Sequence, residues 1–239
     1  MTLLADIVSI TTHPDTGKAI VRVRDHGYKV LGGAALHDLV DRGRLGRTGE
    51  GRKSRVVVLD PSPVPEPSLE YGLARVREHA EQWPRNAVLR LGGGTKLRDG
   101  IYGGLVTEGV LGPRRKAGLF GARYPVLDPR HRDDLLARLH RTLVDGMEPD
   151  EITRRLAALL AVGDGDTGPL LGIVLDRPGA RMPENGPARR EVEKRVKRRG
   201  MELAKEDWIA LTTLRAIELP QQIVKTTAIF GIVDASIPR

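Results

Sequence analysis

Cysteine is absent from this 239-residue chain, which removes disulfides, thiolate metal sites and a thiol nucleophile together. Aromatic residues are scarce at 3%, too few for the stacking platforms that hold unpaired bases. No apolar run approaches the roughly 20 residues of a membrane-spanning helix. LAALLAV (156–162) and LLGIVL (170–175) are sized for a core instead. The N-terminus has no basic stretch ahead of a long apolar segment, so no signal peptide is expected and the chain is read as cytoplasmic. Six histidines are scattered without an HExxH or a close pair, so neither a metal nor any other cofactor is expected. Asp164 and Asp166 in GDGDTG begin a calcium-loop pattern but lack the closing glutamate, and are read as a turn.

What the chain does have is positive charge. Lys and Arg number 39 against 31 Asp and Glu, for a net +8, and arginine outnumbers lysine about threefold. Arginine grips phosphate bidentately where lysine acts as a point charge. A GC-rich genome would produce the same bias, and composition alone does not separate the two. The stretch LRLGGGTKLRDG (89–100) raises the phosphate question locally. It is not a P-loop, because Lys96 follows Thr95 and no glycine stands five before Gly94. It is not a dinucleotide fingerprint, because Leu97 occupies the third glycine position. A glycine run between helices also serves as a connector.

Helical spacing dominates the rest. Leu31, Ala35 and Leu39 form one stripe, with Gly43 placed to cap it. Ser68 is read as the cap of a helix carrying Leu69, Leu73, Val76 and Ala80, stopped before Pro84. Leu97, Ile101 and Leu105 stripe another, closed at Gly109. Asp128-Pro129 opens a helix with Leu135, Leu136, Leu139 and Leu143 that ends at Gly146, and Pro149-Asp150-Glu151 opens the next. KAIVRVR (18–24) and RVVVL (55–59) are expected strands, and 110–127 a hairpin with Arg114, Arg115 and Lys116 at its tip. Residues 163–188, rich in Gly and Pro, are read as a surface excursion, after which 189–208 returns to helix with Val192, Val196 and Leu203 inward. The expected fold is mainly α: a single helical domain over 1–239 with a projecting β-hairpin and a few short strands. A helix followed by a basic-tipped hairpin is also the grammar of a winged helix, which makes DNA binding through 110–127 the alternative. Gly100, Gly103 and Gly104 make the preceding helix poor for reading bases, so no nucleic acid is expected as partner.

The order of motifs resembles the Golgi phosphoprotein 3 family, including its bacterial members. The matching pieces are TLLADIVSI, GGAALHDLVDRGRL, VVVLDPSPVPEPSLEYGLARV, LRDGIYGGLVTEGVL, the hairpin running to RYPVLD, and LVDGMEPDEITRRLAALLAV, in family order across 2–162. The resemblance implies a non-catalytic peripheral membrane protein that binds phosphatidylinositol 4-phosphate. It also implies a hairpin that supports self-association and, in eukaryotic relatives, a sorting role at the Golgi. Arg98 matches one headgroup arginine of the family. The partner position three residues earlier is Thr95, with Lys96 adjacent, and a further family arginine is replaced by Gly32. The family's membrane-facing tryptophan falls near Arg22 or Val23. The expected headgroup residues are therefore Arg98, Lys96, Arg22 and Arg24, on an anionic membrane lipid. Leu119, Phe120 and Tyr124 form an apolar trio expected to join copies of the chain. No nucleophile or general base stands out, so no enzymatic activity is expected.

Overall fold

One helix of this protein has no solvent face. The segment LLADIVSI is apolar apart from Asp6 and Ser9, the pattern of a helix covered on all sides, and α1 (Leu3–Ile10) buries every residue. Its first amides have no acceptor within the helix. Thr2 Oγ1 accepts from Ala5 N at 3.0 Å, and Asp38 Oδ1 and Oδ2 accept from Leu3 N and Leu4 N at 2.9 Å each. Asp38 lies on α2 (Gly27–Asp41), so α2 caps α1 from 34 to 35 residues away. The buried Asp6 is met by His131 Nε2 at 2.7 Å, from α6 (Pro129–Leu143).

The computed structural model describes residues 1–218 apart from 21–26, 94, 118–120, 165–168, 178 and 181–185; the side chains of 52, 95, 96, 98, 117, 121 and 169 also lie outside that description. Around the α1–α2 pair pack α4 (Pro84–Gly92) and α7 (Glu151–Gly163), while α3 (Pro67–Arg77) lies on α5 (Thr95–Thr107) and α9 (Pro187–Lys205) lies on α7. Buried apolar side chains form a contiguous cluster from Leu3 to Ala216. A three-stranded antiparallel sheet, β1 (Leu45–Thr48), β2 (Arg55–Val58) and β3 (Glu81–Gln82), pairs Leu45 with Val58 and Val56 with Gln82. The hairpin β4 (Arg115–Ala117) and β5 (Gly121–Arg123) pairs Arg115 with Arg123, and a bridge between Leu111 and Val126 closes its base. The last described helix, α10, spans 208–218.

The mainly helical expectation holds, and several details differ. The helix expected from Ser68 starts at Pro67 with Glu66 as its N-cap residue, and the Ser68 amide donates to Glu108 Oε1 at 2.8 Å. It ends at Arg77 because the chain next supplies β3 to the sheet. Pro84 opens α4, which the sequence reading did not anticipate, since proline suits the first position of a helix as well as the end of one. The 163–188 excursion contains α8 (Pro169–Leu175). Its apolar residues Leu170, Leu171, Val174 and Leu175 are buried, and Asp164 Oδ1 accepts from the amides of Leu170 and Leu171 at 2.8 and 2.9 Å. Asp164 is thus a helix cap. Of the strand expected at 18–24, Ala19 forms an isolated bridge with Thr12, and 21–24 lie outside the described residues.

Burial raises the Asp38 carboxyl to about 6, against the opposing pull of the Leu4 and Leu3 amides and of Arg42. A carboxyl raised in the folded state adds stability below its unfolded pKa and loses it as pH rises through the folded value. Relative to Asp38→Asn, which does not titrate, the wild type should lose about 1 kcal/mol of stability from about pH 5 to about pH 7. Equilibrium urea unfolding of both proteins at the two pH values measures that difference, and parallel profiles would refute it.

Candidate functional site

The glycine-rich stretch begins as a helix crossing. α4 passes α2 backbone to backbone: a Cβ on Gly32 would run into the carbonyl of Val88, and one on Gly92 into the carbonyl of Tyr28. Only glycine permits that approach on both helices. α4 ends there, with the Gly93 amide donating to Leu89 O at 2.8 Å, and α5 starts at Thr95. The run that looks built for phosphate therefore first serves packing.

Lys96 and Arg98 fall in the first turn of α5, but their side chains lie outside the described residues, as do Arg22, Arg24, Leu119 and Phe120 entirely. Tyr124 is described. It is half-buried, with its ring 5.0 Å from that of Tyr102 in a tilted pair and its amide donating to Gly17 O at 2.8 Å. Arg114, Arg115, Lys116 and Arg123 of the hairpin are exposed. On α5, Leu97, Ile101 and Leu105 face the core, Gly104 meets the backbone at Pro67 and Ser68, and Tyr71 covers Gly100. Among the described side chains of α5 this leaves Asp99, Gly103 and Thr107 toward solvent, an acidic and short-chained set unsuited to a major groove. On the basic outer face of α9, Arg189 is held by Asp176 and Glu193 at 2.7 and 3.0 Å.

A cation that sequence reasoning missed stands beside the crossing. Lys29 is only 3% exposed, and among the described residues no carboxylate or carbonyl takes a hydrogen bond from it. Its ammonium lies 5.3 Å from the centre of the Tyr28 ring, and that ring in turn borders Gly93. Burial lowers the lysine's pKa. The available signal was its place in YKVLGG, three residues before Gly32 and so on the same helical face.

The family model for Golgi phosphoprotein 3 (GPP34) matches residues 4–219. The chain belongs to the Golgi phosphoprotein 3 family. No curated protein matches it. At Gly32, where the motif resemblance led to the expectation of an arginine, α4 backbone fills the space a side chain would need. Among the described residues, no group of three or more His, Asp or Glu is arranged to hold a metal ion, and no helix is long and apolar enough to cross a membrane.

An arginine at that position should therefore harm the protein. Gly32→Arg must separate α2 from α4, at a cost above the about 1–3 kcal/mol of ordinary overpacking, and should lower the thermal midpoint by several degrees at least. Differential scanning calorimetry decides it. An unchanged midpoint would show that the crossing tolerates a side chain.

Proposed function

We propose that this protein is a non-catalytic peripheral membrane protein that binds anionic phospholipid headgroups beside the α2–α4 crossing, with phosphatidylinositol 4-phosphate the headgroup its family suggests. The observation that carries the reading is Lys29, a buried residue whose ammonium has no anionic partner among the described residues and lies by the Tyr28 ring, which in turn borders Gly93. A buried unpaired charge is costly, and a phosphomonoester would supply the missing partner with nearly two negative charges. Arg98 and Lys96 follow directly on α5, and Arg22 and Arg24 lie just before α2 in sequence. The net charge of +8 favours any anionic surface. Family membership supports a membrane-surface role of this kind. The DNA-binding alternative gains nothing from the solvent face of α5.

Co-sedimentation with vesicles tests the proposal. Binding should require anionic lipid and weaken with salt, because the screening length falls from about 10 Å at 0.1 M to about 3 Å at 1 M. Equal binding to neutral and anionic vesicles would refute it. Lys29→Met should weaken binding about tenfold or more, the worth of one charge-assisted hydrogen bond, while leaving thermal stability equal or higher. Arg98→Ala should weaken binding with little change in stability, whereas a merely structural Arg98 would show the reverse.

The hairpin belongs to the same proposal as a self-association element, through Leu119, Phe120 and Tyr124. Light scattering should find an oligomer that becomes monomeric when 113–122 are replaced by a short polar turn. A monomer at high concentration in the intact protein would end that part of the reading.

A further inference from the structure

The chain contains two tryptophans, and both line one cavity of about 650 Å³. Trp83 arrives as the N-cap residue of α4 and Trp208 at the start of α10, while Arg47 comes from β1 and Ser54 from the turn before β2. That volume lies inside the roughly 300–1,000 Å³ range of small-molecule sites. The position of α10 is anchored from the core: Asp207 Oδ2 lies 2.8 Å from the buried His37 on α2, and Asp207 Oδ1 accepts from the amides of Ile209 and Ala210.

The lining joins aromatic faces to positive charge. Beside the lining, the Arg55 guanidinium, paired with Glu81, stacks 3.5 Å from the centre of the Trp83 ring, and Trp83 remains 42% exposed. Arg47 lies 5.3 Å from the Trp208 ring centre and donates to Ser54 Oγ at 2.8 Å. Arg85 and Arg215 also line the cavity, and neither has an ion pair among the described residues, although Arg42, Arg77, Arg154, Arg155 and Arg189 all do. Glu218 is the one carboxylate among the lining residues, so the described walls carry a positive balance. Pro84 has no N–H and the Asn86 and Ala87 amides donate to Trp83 O, so the Arg85 amide is the one that the first turn of α4 can offer an anion. Ser54 and Thr212 are buried on the same walls and add hydroxyls for orientation.

We propose that this cavity binds a small aromatic anion of about mononucleotide size. Its planar rings stack on the indoles, and its phosphate or carboxylate is held by Arg85 and Arg215 at the start of α4. Stacking on an aromatic side chain tolerates any ring with a π-face, and paired guanidinium contacts suit planar and tetrahedral anions alike. The cavity sits at the N-terminal end of α4 and the glycine-rich turn at its C-terminal end, about 12 Å along the helix. The proposal is therefore independent of the headgroup reading.

The protein carries its own reporter, because selectively excited tryptophan emission comes from this cavity alone. Titration with adenosine 5′-monophosphate or 2-naphthoate should change that emission along a saturable curve. Adenosine and ribose 5-phosphate, which each lack one half of the recognised chemistry, should require about tenfold more ligand or greater. Arg85→Gln with Arg215→Gln should weaken adenosine 5′-monophosphate by about tenfold or more while the thermal midpoint stays in place, since both arginines are exposed. The absence of saturable change with both anions would overturn the proposal, as would adenosine binding as tightly as its monophosphate. Quenching of the tryptophans by anionic vesicles with brominated acyl chains would assign the cavity to the bilayer and overturn it equally.

Discussion

The carboxylate of Asp38, closed over the first two free amides of α1, is what allows a helix to lie buried on every side. Each buried N–H left unpaired costs about 1–3 kcal/mol, so without that carboxylate the end of α1 would be drawn toward water. Placing α1 in turn places its neighbours. Asp6 receives His131 from α6, and α2, fixed in rotation by Asp38, turns Gly32 toward α4 and His37 toward Asp207. The crossing and the tryptophan cavity thus descend from the same helix, one at each end of α4. The carboxyl that does this holds a raised pKa, which is the electrostatic cost of capping from inside a core.

The site differs from the pattern its family implies in a way that packing explains. At Gly32, where the resemblance implies a guanidinium, the helix backbone of α4 fills the space. Positive charge is nonetheless close by, because Lys29 lies one turn earlier on α2 as a buried residue. A buried lysine differs from a rim arginine in being weakly solvated and deprotonated more readily. An anion meeting it recovers a desolvation penalty already present in the unliganded protein.

The parts of this fold legible from sequence were those with chemistry written locally. Asp128 and Asp150 announce α6 and α7, and each side chain does accept the amide three residues on, from His131 at 2.9 Å and Thr153 at 2.7 Å. α4 was hidden because Pro84 reads equally as a stop and as a first turn. α8 was hidden because its five apolar residues lie inside a Gly- and Pro-rich stretch, and its cap, Asp164, acts from six and seven residues away. Of the candidate site, the glycine run was visible while its reason was not, since the partner it makes room for is 60 residues earlier in the chain (92 − 32). The burial of Lys29 and the meeting of Trp83 with Trp208 depend on tertiary packing, which neither spacing nor composition encodes.

The Gly32–Gly92 contact also limits how the two helices can vary. A side chain introduced on either helix meets the carbonyl of the other, so neither glycine can be exchanged without parting α2 from α4. Any charge added at this crossing must therefore come from positions off the glycine pair.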